Sequence, residues 1–163
     1  MGILVREFTQ EDILDMLAIW NEVVADGIAF PQTELLDEEG AGAFFGEQSF
    51  TGVAVDSDTG EPVGLYILHP NNIGRCGHLS NASYAVKGSL RGKRIGEALV
   101  SHCISKAREL GFRILQFNAV VSTNTAALKL YEKLGFVRFG IIPGGFLMKD
   151  GSYEDIIPHY YSL

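Results

Sequence analysis

The period of the hydrophobic positions changes several times along the chain, and each change marks an element. Ile3 to Phe8 reads as a first strand, after which Ile13, Leu14, Leu17, Trp20, Val23 and Val24 recur at helical spacing. Thr9 or Asp12 is placed to cap that helix, Gly27 and Pro31 break it into a loop over 25–32, and a shorter acidic helix is predicted over 35–47. Phe50 to Asp56 and Pro62 to His69 are β-rich runs on either side of Asp58-Thr59-Gly60, which predicts a hairpin. A loop with Pro70, Asn71, Asn72 and Gly74 leads to the next strand, His78 to Val86. Alternation there puts Leu79, Asn81, Ser83 and Ala85 on one face and His78, Ser80, Ala82, Tyr84 and Val86 on the other. Both faces carry polar groups, as a strand beside an active site does.

A basic, glycine-flanked turn then opens a long helix whose stripe is Ile95, Ala98, Leu99, Cys103, Ala107 and Leu110, with Gly111 placed just past its end. Phe112 to Val121 is a strand of the buried type. Ser122-Thr123-Asn124 supplies caps for a helix running through Leu134 and closed by Gly135. Val137 to Met148 and Ser152 to Tyr161 pair across Lys149-Asp150-Gly151, where glycine suits a positive φ, and Pro143-Gly144-Gly145 marks a bulge or bend. Consecutive strand–helix units place the chain in the α/β (α+β) class.

Length and composition narrow this. A chain of 163 residues, nearly half of them apolar, suffices for one domain with a proper core, read here as 1–163. A net charge of -7 argues against a nucleic-acid partner; it suits cationic substrates or serves solubility. Cys76 and Cys103, taken with His69, His78, His102 and His159, show no metal-ligand spacing, so no metal is expected and the thiols read as reduced and cytoplasmic. The N-terminus has the pattern of a strand, not of a targeting or lipidation signal, and no membrane association is expected.

The basic turn, Ser89 to Leu99, carries the first candidate chemistry. The leading amides of a helix lack carbonyl partners and the helix dipole adds positive potential, so a pyrophosphate can satisfy several donors together. Arg91, Lys93 and Arg94 add full charges; the plain alternative is a solvated basic turn. A dinucleotide loop is excluded by the missing G-x-G-x-x-G, and a nucleoside-triphosphate loop because Lys93 is followed by Arg94, not Ser or Thr. The turn resembles the pyrophosphate loop of the GNAT superfamily of acetyl-CoA-dependent N-acetyltransferases, Q/R-x-x-G-x-G/A, with Arg91 and Gly96 at its first and last places. Arg94 stands where that pattern has its inner glycine; a helical backbone there would still offer its amide. A second stretch, Asn124 to Phe136, resembles the family's N-x-x-A-x-x-x-Y-x-x-x-G-F segment. The Trp20-Asn21 helix, the long acceptor loop and the Asp150-Gly151 hairpin ending in Asp155 look most similar to the phosphinothricin-type branch, which acetylates small amino-acid-like amines.

The resemblance implies a GNAT fold, a central mixed, mostly antiparallel twisted sheet flanked by helices. It also implies acetyl-CoA as cosubstrate, a primary amine attacking it directly in a ternary complex, and a homodimer formed through the apolar run Phe139 to Leu147. Attack on the thioester builds an oxyanion and expels a thiolate, so an acid near sulfur lowers the barrier. Tyr131 is the acid, or else it only packs on its helix's inner stripe. Asn124 binds the pantetheine arm or caps its helix. The backbone around Val86 would accept the pantetheine amides like an added strand, and the amides of Arg91, Gly92, Lys93, Arg94, Ile95 and Gly96 would hold the pyrophosphate. Asn81 stands where the branch often carries a glutamate; it holds a relay water or orients the substrate. His78, Glu22 and Glu34 are the other candidates for moving the amine's proton, with water-mediated loss expected. Two further readings remain open: a non-catalytic acyl-CoA-binding domain, and acetylation of protein or peptide amines.

Overall fold

The computed structural model describes residues 1–163. Strands β1 (Ile3–Glu7), β2 (Phe50–Asp56), β3 (Pro62–Pro70), β4 (Leu79–Val86), β5 (Ile114–Val121), β6 (Val137–Arg138), β7 (Ile142–Leu147) and β8 (Tyr153–Ser162) form one sheet. Its order is β1-β2-β3-β4-β5-β8-β6, with β7 also pairing with β8. Every pairing is antiparallel except β4 with β5. That pair is parallel because helix α3 (Ile95–Glu109) carries the chain back between them.

Two apolar layers sandwich the sheet. Helices α1 (Ile13–Asp26) and α2 (Glu38–Gly46) bury Met16, Trp20 and Phe45 against Val53, Leu65 and Ile67. Helices α3 and α4 (Thr125–Lys133) bury Leu99, Cys103 and Leu128 against Tyr66, Leu115 and Phe117 on the other face. Strand β4 serves both layers as its alternation predicts, with Ala82, Tyr84 and Val86 toward α3 and Ala85 toward α1. No helix is long and apolar enough to cross a membrane.

Local chemistry accounts for the helix ends. Asp12 accepts from the Thr9 amide at 2.8 Å and takes both arms of the Arg6 guanidinium at 2.8 and 3.0 Å, tying β1 to the start of α1. Both helices of the second layer end in the same device. Phe112 N donates to Ala107 O and Gly111 N to Arg108 O; likewise Phe136 N donates to Tyr131 O and Gly135 N to Glu132 O. These are Schellman motifs, with Gly111 (φ 88°) and Gly135 (φ 92°) in the left-handed conformation they require. The Y-x-x-x-G-F spacing is therefore a helix terminator that sets Phe136 against Tyr131, ring centroids 5.4 Å apart.

Several boundaries differ from the sequence reading. Helix α1 runs through Asp26, two residues into the expected loop, and stops at Gly27 (φ 63°). Helix α2 starts at Glu38 and not near residue 35, because the Asn21 side chain bonds both the amide and the carbonyl of Leu36, at 2.9 and 2.8 Å, holding that segment extended against α1. Leu14 is 62% exposed; the buried stripe of α1 runs through Met16 and Ile19 instead. Leu110 caps α3 and is largely exposed. The single strand expected over 137–148 divides into β6 and β7, both on β8, with a register shift between Ile142 and Phe146 at the Pro143-Gly144-Gly145 stretch. The Met148–Ser152 hairpin forms as expected, with Gly151 at φ 89°.

Candidate active site

The site arises where two parallel strands part. β4 and β5 pair only from Leu79 with Ile114 to Asn81 with Gln116. Beyond that point β5 stays on β8, with a register shift between Phe117 and Val120, while β4 stays on β3 through Val86. The Lys87 amide donates to Val63 O on β3, so alternation turns the backbone groups of Val86 and Tyr84 toward the opposite edge, where no strand pairs. A cavity of about 170 Å³ lies in the opening, walled by Asn81 to Tyr84, Phe117 to Val121, the loop Ala29 to Pro31, and Asn124, Ala127 and Tyr131 of the α4 segment. A channel continues along β4 past Val86 to Arg91, bordered by the end of α1 and by Thr123 to Ala126.

At the far end of that channel the basic turn presents a run of unpaired amides. The amides from Gly92 through Glu97 donate to no protein acceptor; the first bond of the helix is Ala98 N to Arg94 O at 3.2 Å. Arg91's own amide reaches back to Gly88 O at 3.5 Å, so the open run sits one residue later than expected. Arg94 is not helical: it is the N-cap, at φ 63° and ψ 19°, and the one non-glycine residue of the chain with positive φ. The family's glycine at this place thus has a physical reason, and here an arginine adopts the conformation glycine favours. Ile95 contributes its amide while its side chain is core. Acidic residues of α1 hold the turn from outside: Glu22 accepts from Gly88 N at 2.6 Å, and Asp26 pairs with Arg91 at 3.1 Å.

Tyr131 lines the cavity from α4. Its ring packs on Phe117 (4.6 Å between centroids), Phe136 and His159, so the packing role and the cavity role hold together. Its hydroxyl makes no bond within the chain and is open to the cavity, whereas the neighbouring Tyr84 hydroxyl is sealed in the core without a partner. Burial raises the Tyr131 phenol above its ordinary range, with the Cys103 thiol adding to the effect. It stays protonated at neutral pH. The same core pushes the Cys103 thiol up to about 12, again through burial. Behind Tyr131, His159 donates from Nδ1 to Ile157 O at 2.8 Å, and burial lowers its pKa.

Asn81 sits at the fork, its Nδ2 donating to Gln116 O at 2.8 Å. Asn124 lines both cavity and channel and caps α4 by accepting from Ala127 N at 3.3 Å. The other proton-transfer candidates do not converge here. His78 is exposed at the opposite end of the β4–β5 pairing, beside Arg113 and Leu163; Glu22 is committed to Gly88; Glu34 is exposed and does not line the cavity. The loop over 25–32, which the resemblance assigns to the acceptor pocket, supplies the Ala29–Pro31 wall, while the sequence reading missed Ser83, Tyr84 and Asn118. Alternation along β4 pairs Ser83 with Asn81 on one face, but nothing in the sequence says where the strands part.

The arrangement is an uncharged cavity that opens onto a channel ending in a basic turn with unpaired amides. The model of the Acetyltransferase (GNAT) family matches residues 16–136, well over half of the chain, and the protein belongs to that family. A GCN5-related N-acetyltransferase from Kribbella flavida is 34% identical, with a TM-score of 0.91 over 99% of this chain and 98% of that one. The N-acetyltransferase aca1 of Schizosaccharomyces pombe is 36% identical over 100 residues, 61% of this chain and 48% of that protein, so the chain spans about half its length. The fold also matches a GNAT superfamily phosphinothricin acetyltransferase from Sinorhizobium meliloti, solved in complex with AcCoA, at 23% identity and a TM-score of 0.91 over 100% of this chain and 89% of that one.

Proposed function

We propose that the protein moves the acetyl group of acetyl-CoA to the primary amine of a small molecule, the amine attacking directly while both substrates are bound. One juxtaposition carries this reading: a run of partnerless amides at one end of the unpaired β4 edge, and the open hydroxyl of Tyr131 at the other. Acetyl-CoA supplies the acetyl group as an activated thioester. The amides of Gly92 to Glu97, with the charges of Arg91, Lys93 and Arg94, suit its diphosphate. The backbone of Tyr84 and Val86 suits the pantetheine amides, and Asn124 stands beside that path.

Tyr131 is the acid. An N–C bond forms as the C–S bond breaks, sulfur takes the Tyr131 proton, and a proton from the amine nitrogen returns through water to Oη. Asn81 orients the attacking nitrogen. The resemblance puts amino-acid-like acceptors first among small amines. A homodimer through the exposed Phe139, Ile141, Ile142 and Leu147 and a cytoplasmic location, which suits the free thiols Cys76 and Cys103, belong to the same proposal.

Thiol release from acetyl-CoA tests the reading against amino acids, polyamines, alkyl- and arylamines, aminoglycosides and short peptides. Turnover with small amines, largely lost in Tyr131→Phe, is the expected result. Acetyl-CoA binding without release on any amine overturns it in favour of a binding domain; release only with peptides overturns the small-molecule acceptor.

A further inference from the structure

Every one of the 15 residues walling the cavity is uncharged. The adjoining channel holds one acid and one base, Asp26 and Arg91, and these are already paired at 3.1 Å. Ala29, Pro31, Ala82, Ala119 and Val120 give the cavity short apolar walls. Its volume, about 170 Å³, compares with the roughly 150 Å³ apolar cavity that accommodates a benzene ring. The space suits an acceptor with a small apolar body.

The polar groups are as selective as the walls. At the mouth, Asn118 exchanges hydrogen bonds with Asn71 at 2.7 and 3.2 Å, and its Oδ1 also accepts from Gln116 Nε2 at 3.1 Å, so these three amides are tied to one another. Asn81 is different. Its Nδ2 is committed to the Gln116 carbonyl, which can only accept, and this fixes the orientation of the amide. Oδ1 has no protein partner and is not sealed in the core, leaving an acceptor free at the cavity wall. Ser83, two residues along the same face, adds a hydroxyl.

From these observations we infer that the acceptor is a primary amine carrying no carboxylate, bound as the neutral amine with an N–H donated to Asn81 Oδ1. A carboxylate entering this cavity gives up its water and meets short apolar walls, with only the neutral Ser83 and Tyr131 hydroxyls and the Asn124 side-chain amide nitrogen unpaired and no free cation to replace the water. The same environment disfavours an ammonium, so entry favours loss of the proton that must leave before attack, and no carboxylate base is needed. The inference rests on the acetyltransferase reading and departs from amino-acid-like acceptors within it.

Matched acceptors isolate the carboxylate: butylamine, norvaline and norvalinamide as one set, 2-phenylethylamine, phenylalanine and phenylalaninamide as another. With the full chain and saturating acetyl-CoA, the expected kcat/KM for each amine and carboxamide exceeds that of its amino acid by on the order of 100-fold or more. Asn81→Ala is expected to lower kcat/KM for butylamine about tenfold while leaving the acetyl-CoA Kd unchanged, a readout that reports folding separately. An amino acid equal to or better than its amine overturns the inference and leaves the acetyltransferase reading standing. So does a carboxamide as poor as the acid, because size and not charge would then exclude both. No thiol release with any member, despite acetyl-CoA binding, overturns the acetyltransferase reading itself and this inference with it.

Discussion

The two ends of the β4 edge are built from different materials. The proposed anion end is backbone: its donors would be the unpaired amides of Gly92 to Glu97, present in whatever residues take this turn, and the surrounding side chains only add charge. The proposed acceptor end is side chains: Asn81, Ser83, Phe117, Asn118 and Tyr131 come from three separate elements and meet where β4 and β5 part after Asn81. A backbone site constrains conformation, so it leaves a motif of glycines and turn residues. A side-chain site constrains chemistry at scattered positions and leaves almost none.

The acceptor end gives the largest test of this contrast. Tyr131→Phe removes one oxygen without disturbing the packing on Phe117 and Phe136, and kcat is expected to fall by roughly 10²–10⁴-fold while the acetyl-CoA Kd stays within about twofold. An unchanged kcat would remove the acid from the side-chain end altogether. At the backbone end, Gly96→Pro deletes one amide donor in the first helical turn, where proline is tolerated, and is expected to weaken acetyl-CoA binding about tenfold. Gly96→Ala is the control, since a Cβ there meets only Leu130 Cδ2, at 3.7 Å, and the amide is kept. Equal losses in the two variants would mean that the side-chain position matters and the amide does not.

The two ends also respond differently to pH. Backbone amides do not titrate, but His159 behind Tyr131 is held neutral by burial, its pKa below the ordinary value, and His102 shifts the same way. With the folded pKa lowered, the unfolded state binds the extra proton first. The contribution to stability is complete above about pH 6.5 and declines as the pH falls toward the folded value, by at most ~1.4 kcal/mol per pH unit for each histidine. Urea unfolding between pH 7.5 and 5 is expected to show this slope, and His159→Gln to flatten it; an identical slope in the variant would place the titration elsewhere. The smallest effect concerns Arg94. Relief of its left-handed backbone in Arg94→Gly is expected to raise stability by up to about 1 kcal/mol, partly offset by the freedom glycine has when unfolded. A fall in thermal stability would show that the arginine side chain contributes more than its backbone costs.

What the sequence determined by itself is local. Helix spacing, caps, the Asp150-Gly151 turn and the two motifs follow from contacts a few residues apart, which is why the order of elements, Tyr131, Asn124 and the basic turn were legible. The Y-x-x-x-G-F pattern is one such rule, a Schellman terminator that also seats the tyrosine. The tertiary structure decided what depends on distant partners. Leu14 looked as apolar as Met16, but the sheet lies under the latter. Leu36 could have extended α2, but Asn21 on α1 claims its backbone. The position of Arg94 in the motif was visible, while its left-handed backbone was not. The cavity belongs to this second class: its shape follows from where two strands separate, as β4 stays on β3 and β5 on β8, and those pairings join residues far apart in the chain.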